Sequence, residues 1–230
     1  MIFIPETYEV NQLRILHISD THSHFPLLTD QFDLIVHSGD FFPDPPNKFF
    51  GPIEKFQKNW LETNIRHLKE QVQDKPYFFV LGNHDFYDDQ QLETYLRSEG
   101  IKATSLHNKR IEFEEIYFYG FPYMDFINQY FNYGLDEVEL KIKIDEMFEK
   151  FTYDKVDVLV SHAPFQGVLD AKGHYSSKYM REALEKAIKE NKAPSHYLCG
   201  HCHRYQGVAM FNNMLVSNAA TTQNIIQIIK

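Results

Sequence analysis

Cysteine is scarce in this sequence, because Cys199 and Cys202 are the only two among 230 residues. Two cysteines cannot build the disulfide framework of a small secreted protein, and their number favours a reducing compartment. The first residues, MIFIPETYEVNQL, also lack the basic segment and following apolar segment that are typical of a secretory signal peptide. We therefore expect a cytoplasmic protein.

Long apolar runs and an excess of basic residues are absent as well. No apolar run reaches the roughly 18 residues of a transmembrane helix, so we expect no membrane partner. Lysine and arginine, with 23 residues, are outnumbered by 32 aspartates and glutamates, which gives a formal net charge of −9. A surface of that sign repels long polyanions, so stable binding of duplex nucleic acid is disfavoured. A small phosphate ester is not excluded, because a local cationic site can dominate at short range.

The composition is that of an ordinary globular domain. Apolar residues make up 43% of the chain and charged residues 24%. The chain contains no internal repeat, low-complexity tract or linker, and a single α/β domain can have this length. We expect one domain over residues 1–230, and the sequence leaves the oligomeric state open.

Five short apolar runs are each followed by residues that can bind a metal ion. They are RILHIS before Asp20 and His22, DLIVHS before Asp40, YFFVL before Asn83 and His84, VDVLV before His162, and HYLC before His201 and His203. Such runs are typical of buried strands, and open α/β sheets place their ligand sites at the carboxyl ends of strands. The pattern therefore predicts one site built from five strand ends.

Helical spacing of apolar residues predicts helices over 52–72, 88–97, 136–150 and 177–192. Residues 102–121 alternate like strands, with a turn at Glu114 and Glu115. The final segments GVAMF, MLVSN and IIQII predict a β-meander. Two mixed sheets packed together with helices outside would accommodate this α/β pattern. The proline- and phenylalanine-rich loop over 41–52 is a candidate pocket wall.

The strand ends offer two carboxylates, one amide oxygen and four imidazoles, which are Asp20, His22, Asp40, Asn83, His162, His201 and His203. These seven ligands are too many for one ion but suit two divalent ions if one carboxylate bridges them. The donor types favour manganese first, with iron, zinc, nickel, cobalt or magnesium as alternatives. Two such ions activate water and stabilise charge on a phosphoryl group. His84 stays outside this set and is a candidate to contact the phosphate or to protonate the leaving oxygen.

The motifs D-x-H at 20–22, G-D at 39–40, G-N-H-D at 82–85, His162 and G-H-x-H at 200–203 resemble the calcineurin-like metallophosphoesterase family. This resemblance implies a four-layer αββα sandwich with two mixed sheets flanked by helices. It also implies that Asp20, His22 and His203 hold one metal, that Asn83, His162 and His201 hold the other, and that Asp40 bridges them. His84, with Asn83 beside it, would bind the phosphate of the substrate.

The sequence departs from the Ser/Thr protein phosphatase branch of that family. Pro43 occupies the position of the aspartate that orients the catalytic histidine in that branch, so this activity is not expected. Asp44 and Asp85 remain the two candidates for orienting His84, and Asp85 is included among the candidate catalytic residues. The segment 161–170 resembles the small-molecule phosphoesterase and cyclic-nucleotide phosphodiesterase branches. The substrate would be a small phosphomonoester or phosphodiester, including nucleotides and cyclic nucleotides, attacked by water bound between the metals.

Two other functions stay open. A chain of this fold that has lost catalysis could serve as a binding scaffold, although all seven ligands are present. Cys199 and Cys202 lie in a C-G-H-C sequence that also occurs in thiol–disulfide oxidoreductases, which place the first cysteine at a helix N-terminus. The strands that hold His17 and His37 favour core or supporting roles for these residues, and His174 is a candidate substrate contact.

Overall fold

The computed structural model describes residues 12–25, 31–46, 52–170 and 176–229. These residues form thirteen strands and four helices. The strands are β1 (Gln12–Ile18), β2 (Leu34–His37), β3 (Tyr77–Phe79), β4 (Ala103–Ser105), β5 (Arg110–Phe113), β6 (Ile116–Phe121), β7 (Met124–Asp125), β8 (Gly134–Leu135), β9 (Val158–Ser161), β10 (His196–Cys199), β11 (Gly207–Phe211), β12 (Met214–Asn218) and β13 (Gln223–Ile229). The helices are α1 (Ile53–Val72), α2 (Asp89–Ser98), α3 (Glu137–Phe151) and α4 (Lys178–Lys189).

Most strands belong to two large mixed sheets. Sheet 1 has the order β13-β1-β2-β3-β4, in which β1 to β4 are parallel and β13 is antiparallel to β1. Sheet 2 has the order β11-β12-β10-β9-β6-β5, in which the four central strands are parallel and both edge strands are antiparallel. Strands β7 and β8 form a separate short ladder. The parallel strands of each sheet end at one edge, where their following loops collect.

Hydrophobic clusters of the described residues define the layers of the molecule. One cluster lies between the sheets and joins Ile15 of β1 to Val160 of β9. A second packs Leu61 of α1 and Leu92 of α2 against the outer face of sheet 1. A third packs α3 and α4 against the outer face of sheet 2. The fold is therefore the four-layer αββα sandwich, as expected from the sequence.

The helices begin and end within three residues of the predicted bounds. Asp88 before α2, Asp136 before α3 and Ser177 before α4 each accept a hydrogen bond from a backbone N–H of the first helical turn. Gly100, with φ of +88°, allows the chain to turn back after α2. None of the helices that the structure describes combines the length and apolarity of a membrane span.

The predicted β-meander at the end of the chain is wrong. Strands β11 and β12 form a hairpin in sheet 2, but β13 leaves them and pairs along its whole length with β1 in sheet 1. Ile226 and Ile228 of β13 are buried between the sheets. The alternating pattern of this segment predicts a strand correctly, but the available edge beside β1 decides its partner.

The loop after Asp40 also differs from its predicted role. The aromatic rings of Phe41 and Phe42 are buried in the core rather than at a pocket. Phe42 stacks on Tyr87, with ring centroids 5.5 Å apart, and meets Trp60 edge-on. These two phenylalanines therefore contribute packing, whereas residues 47–51 of the predicted wall lie outside the described residues.

Candidate metal centre

The loops that follow β1, β2, β9 and β10 meet at one edge of the sandwich. The Asp20 amide donates a hydrogen bond of 2.8 Å to the Gly39 carbonyl, which joins two loops of sheet 1. The backbone amide of His201, in the loop after β10 of sheet 2, donates to Oδ2 of Asp20 at 2.8 Å. Nδ1 of His162 donates to the Ser38 carbonyl at 2.9 Å, so Nε2 is the ring atom that would bind a metal ion. The two sheets are therefore joined at this edge by the candidate ligands themselves.

Two clusters of side chains that could hold a metal ion lie at this edge. The first contains Asp20, His22 and His203, and the second contains Asp40, His162 and His201; within each cluster the ligand atoms lie within 4.8 Å of one another. Nε2 of His203 is 3.0 Å from Oδ1 of Asp20. Nε2 of His162 is 3.3 Å from Oδ2 of Asp40. Each cluster can hold one divalent ion through a carboxylate and two imidazoles.

Asp40 and Asn83 complete the arrangement. Oδ2 of Asp40 also lies 3.9 Å from Nε2 of His22, so this carboxylate faces both clusters. Oδ1 of Asn83 lies 2.9 Å from Nε2 of His162 and belongs spatially to the second cluster. All seven side chains predicted as ligands thus lie together at this edge, and their role as metal ligands stays a prediction.

The charges at this edge fit two divalent cations. The Asp20 and Asp40 side chains are buried, and among the described residues neither forms an ion pair with lysine or arginine. Burial alone would raise the pKa of Asp40, but His162 holds this pKa well below its ordinary value. Burial opposes protonation of His162, yet Asp40 raises the pKa of His162 to about 10. Buried carboxylates thus recruit a proton on the neighbouring imidazole, and a bound cation would supply that charge instead.

The backbone at the ligand positions adopts a conformation that is unfavourable for side chains. Asp20, His22, Asp40 and His201 have φ values between +40° and +64°. Such left-handed conformations are uncommon outside glycine and concentrate at functional sites, where the surrounding structure enforces them. A Cβ added to Gly39 would lie 2.6 Å from Nδ1 of His162, so this turn has no room for a side chain.

His84 lies beside the two clusters and close to a carboxylate. Its Nδ1 is 2.8 Å from Oδ1 of Asp44, and its backbone N–H donates to Oδ1 of Asp40 at 2.8 Å. The imidazole meets the rings of His22 and Phe131 edge-on, each with a centroid separation of 5.0 Å. Of the two aspartates that the sequence left open, Asp44 therefore contacts His84.

Residues 13–205 match the model of the calcineurin-like phosphoesterase family, Metallophos. The chain belongs to this family. The matched range covers all seven candidate ligands and His84 of the phosphoesterase. Among curated proteins, no significant match to the chain is found.

Solved structures share the fold at low sequence identity. One crystal structure has a TM-score of 0.63 and 15% identity, covering 95% of this phosphoesterase and 99% of its own chain. A candidate 5′-nucleotidase from Staphylococcus aureus, solved with alpha-ketoglutarate, has a TM-score of 0.55 and 15% identity. The match covers 94% of this phosphoesterase but only 51% of the nucleotidase chain. These likenesses show the common architecture.

The carboxylate of Asp85, a candidate catalytic residue, contacts the backbone of the loops after β2 and β3. This fully buried carboxylate accepts hydrogen bonds from the backbone N–H groups of Phe41, Phe42 and Gly82, at 3.2, 2.9 and 2.8 Å. Burial and the nearby Asp40 raise the pKa of Asp85 to about 7. The contacts of Asp85 join the loop after β2 to the loop after β3.

Two further side chains that the sequence analysis did not single out hold the loop around His84. The fully buried Gln57 of α1 donates to the His84 carbonyl at 2.6 Å and accepts from the Phe86 amide at 2.7 Å. Asn132 donates from its backbone to the Asn83 carbonyl and from its side chain to the Asp85 carbonyl, each at 2.9 Å. A glutamine on the buried face of α1 was the available sequence signal, because an amide there requires polar partners.

The phosphoesterase buries two other histidines behind the ligands. His17 lies between the hydroxyls of Ser217 and Ser38, at 2.8 and 3.0 Å, and therefore joins the two sheets. His37 contacts Thr21 and accepts from the Gly39 amide at 3.1 Å. Burial lowers the pKa of both imidazoles to about 3, so both are neutral at physiological pH. His174 lies outside the described residues.

The two cysteines are unsuited to thiol exchange where the structure places them. Cys199 ends β10 and Cys202 lies in the following turn, so neither begins a helix. Both are buried, and burial raises the pKa of the Cys199 thiol well above its ordinary value. A reactive thiol requires the opposite shift. These positions favour the interpretation of C-G-H-C as part of the loop that carries the histidine ligands.

Proposed function

We propose that this calcineurin-like phosphoesterase hydrolyses a small phosphate ester at a centre of two divalent metal ions, with manganese as the first candidate. Asp20, His22 and His203 would hold one ion, Asn83, His162 and His201 the other, and Asp40 both. The observation that carries this proposal is the pair of ligand clusters around Asp40, with the His84 imidazole beside them. Two ions held there would activate water and neutralise the charge that develops on the phosphoryl oxygens.

His84 would bind the ester and transfer a proton to it. Asp44 lies 2.8 Å from Nδ1 and would orient the imidazole toward a phosphoryl or leaving oxygen of the ester. Gln57 and Asn132 hold the backbone on both sides of His84, so the imidazole is positioned before the substrate arrives. Neither residue would contact the substrate.

The proposal is tested by combining a substrate panel with metal analysis. Purified protein is loaded with manganese and assayed on p-nitrophenyl phosphate, bis-p-nitrophenyl phosphate and 2′,3′-cyclic nucleotides. We expect two bound ions per chain and turnover of at least one ester. Asp40→Asn should lower the metal content and should reduce kcat by at least about 100-fold, because the shared carboxylate loses its charge. Tyr153→Leu, which changes an exposed ring, serves as the matched control.

Three results would contradict the proposal. One is a single bound ion per chain in the wild-type protein. Another is full activity in the Asp40→Asn protein. The third is the absence of turnover on every ester of the panel with two ions bound, which would favour the catalytically silent scaffold instead.

A further inference from the structure

A cleft of about 480 Å³ opens beside the metal centre. Part of its lining is Asp40, Asn83, His84 and the histidines of the last ligand loop, which belong to the candidate metal centre. The rest of its lining comes from the loop between β7 and β8 and from the loop before β11. A volume of this size accommodates a small organic ligand in addition to a phosphate group. The lining from these two loops would therefore contact the organic part of an ester.

The lining from these two loops includes three apolar or aromatic side chains beside Asn128, Cys202 and Arg204. Ile127 and Phe131 come from the β7–β8 loop, and Tyr205 comes from the loop before β11. None of the three belongs to the hydrophobic clusters of the part of the chain that the structure describes. Tyr205 keeps 44% of its surface exposed. Tyr205 therefore has ring surface that a ligand in the cleft can contact.

Hydrogen bonds and a ring contact hold Phe131 next to the loop that carries His84. Asn132, the residue after Phe131, donates hydrogen bonds to the carbonyls of Asn83 and Asp85. The Phe131 ring itself meets the His84 imidazole edge-on, with centroids 5.0 Å apart. Because His84 is the group proposed to protonate the leaving oxygen, Phe131 lies on the leaving-group side of the centre. A leaving group with a flat ring would contact Phe131 directly.

The charges of the cleft do not oppose an anionic ester. Among the described residues that line it, Asp40 is the one carboxylate, and this group is assigned to the metals. Arg204 is the one permanently charged cation there. In a chain with a net charge of −9, a wall without further carboxylates is favourable to phosphate. The cleft would thus select among phosphate esters by shape and ring contacts rather than by charge repulsion.

We propose that this cleft selects phosphate esters whose alcohol part carries a planar aromatic ring, which packs against Phe131 and Tyr205. This inference rests on the proposed function for the identity of the phosphate site. A nucleobase and a simple aryl ring share the required chemistry, since both present a flat π-face to an aromatic side chain. An aliphatic group of similar size would fill the space without that contact.

Non-hydrolysable ligands test the cleft independently of catalysis. The dissociation constants of benzylphosphonate and cyclohexylmethylphosphonate for the manganese-loaded protein are measured by calorimetry. We expect the benzyl compound to bind about tenfold more tightly to the wild-type protein, the magnitude of one aromatic stacking contact. Phe131→Leu and Tyr205→Leu should each reduce this preference severalfold. Tyr153→Leu, an exposed ring that does not line the cleft, should retain it.

Paired substrates distinguish the two sources of the ring. Wild-type kcat/KM is compared between AMP and ribose 5-phosphate, and between benzyl phosphate and cyclohexylmethyl phosphate. A preference that is much larger for AMP than for benzyl phosphate identifies a nucleobase, and similar preferences in both pairs identify an aryl ring in general. Equal affinities for the two phosphonates, or a preference unchanged in both cleft variants, would overturn the inference. Selective phosphonate binding without turnover of any ester would refute the proposed function while supporting the aromatic cleft.

Discussion

His84 and Asp44 form the residue pair on which the proposed proton transfer depends. The Nδ1 atom of His84 and the Oδ1 atom of Asp44 are 2.8 Å apart, and both side chains are partly exposed. Neither belongs to the two ligand clusters. Substitution of either residue should therefore separate catalysis from metal binding.

We predict that His84→Asn loses about 10²–10⁴-fold in kcat, because the protein loses its acid–base group at the ester. Asp44→Asn should lose less, about tenfold, since an amide oxygen can still accept from Nδ1 but lacks the negative charge of the carboxylate. Steady-state kinetics and metal analysis check both variants. A wild-type kcat in His84→Asn, or loss of metal from either protein, would contradict the assigned roles.

His17 makes the stability of the protein depend on pH. Burial lowers the pKa of this imidazole from 6.5 to about 3, so the folded chain binds its proton more weakly than the unfolded chain does. Stability from this residue is complete above pH 6.5 and is lost as the pH falls from 6.5 toward 3. The slope for one proton is about 1.4 kcal/mol per pH unit.

We predict that His17→Gln has a shallower decrease in unfolding free energy over this acidic range than the wild-type protein. Glutamine retains hydrogen-bonding groups for Ser38 and Ser217 but takes up no proton. Urea unfolding at a series of pH values measures the slope. His67→Gln, at an exposed position of α1, should keep the wild-type slope. Identical slopes for His17→Gln and wild type would refute the assignment.

At the scale of the elements, the loop after β2 is shaped by the absence of a side chain. Gly39 has φ of +107°, and the added Cβ would lie 2.6 Å from Nδ1 of His162. Backbone atoms of Gly82 lie within 2.9 Å of the same point, so the loop cannot relax in that direction. The approach of β2 to β9 at the metal centre thus requires glycine at this position.

We predict that Gly39→Ala loses metal from the centre and is destabilised by more than the about 1–2 kcal/mol of an unfavourable φ alone. Gly100→Ala is the matched control, because its φ is +88° but its Cβ would meet only the flexible end of Lys69 at 3.1 Å. That variant should lose stability but retain its metal content. Urea unfolding and metal analysis compare the two, and equal metal contents would show that the contact with His162 is unimportant.

At the scale of the whole molecule, the candidate metal centre joins the two sheets. Asp20, Asp40 and Asn83 follow strands of sheet 1, whereas His162 and His201 follow strands of sheet 2. Ions held by ligands from both sheets would bind the folded state and not the unfolded chain. Metal binding should therefore contribute to the stability of the entire sandwich.

We predict that manganese at about 100 times its dissociation constant raises the unfolding free energy by about 2.7 kcal/mol per site. For a chain of this size, one site corresponds to an increase in Tm of about 5–10 °C. Thermal unfolding with manganese and with a chelator measures the difference. Asp40→Asn should show a smaller increase, and an unchanged wild-type Tm despite bound manganese would contradict a centre that joins the sheets.

Local patterns predicted much of this molecule because they depend on near neighbours in the chain. Helical spacing of apolar residues located the four helices, and apolar runs before aspartate, asparagine and histidine located the strand ends. The positions of Asp20 and Asp40 at one edge of sheet 1 follow from the rule that parallel strands present their carboxyl ends together, whereas the packing of the two sheets brings His162 to them. The family resemblance supplied the grouping of ligands, which spacing alone does not contain.

The sequence by itself determined which segments become strands and helices and which polar residues stand at the ends of the strands. Only the tertiary structure decided that β13 pairs with β1, that Asp44 rather than Asp85 contacts His84, and that Phe131 and Tyr205 line one cleft. The physical reason is that such contacts join residues far apart in the chain. Their partners depend on which sheet edges and loop positions remain available after the layers pack.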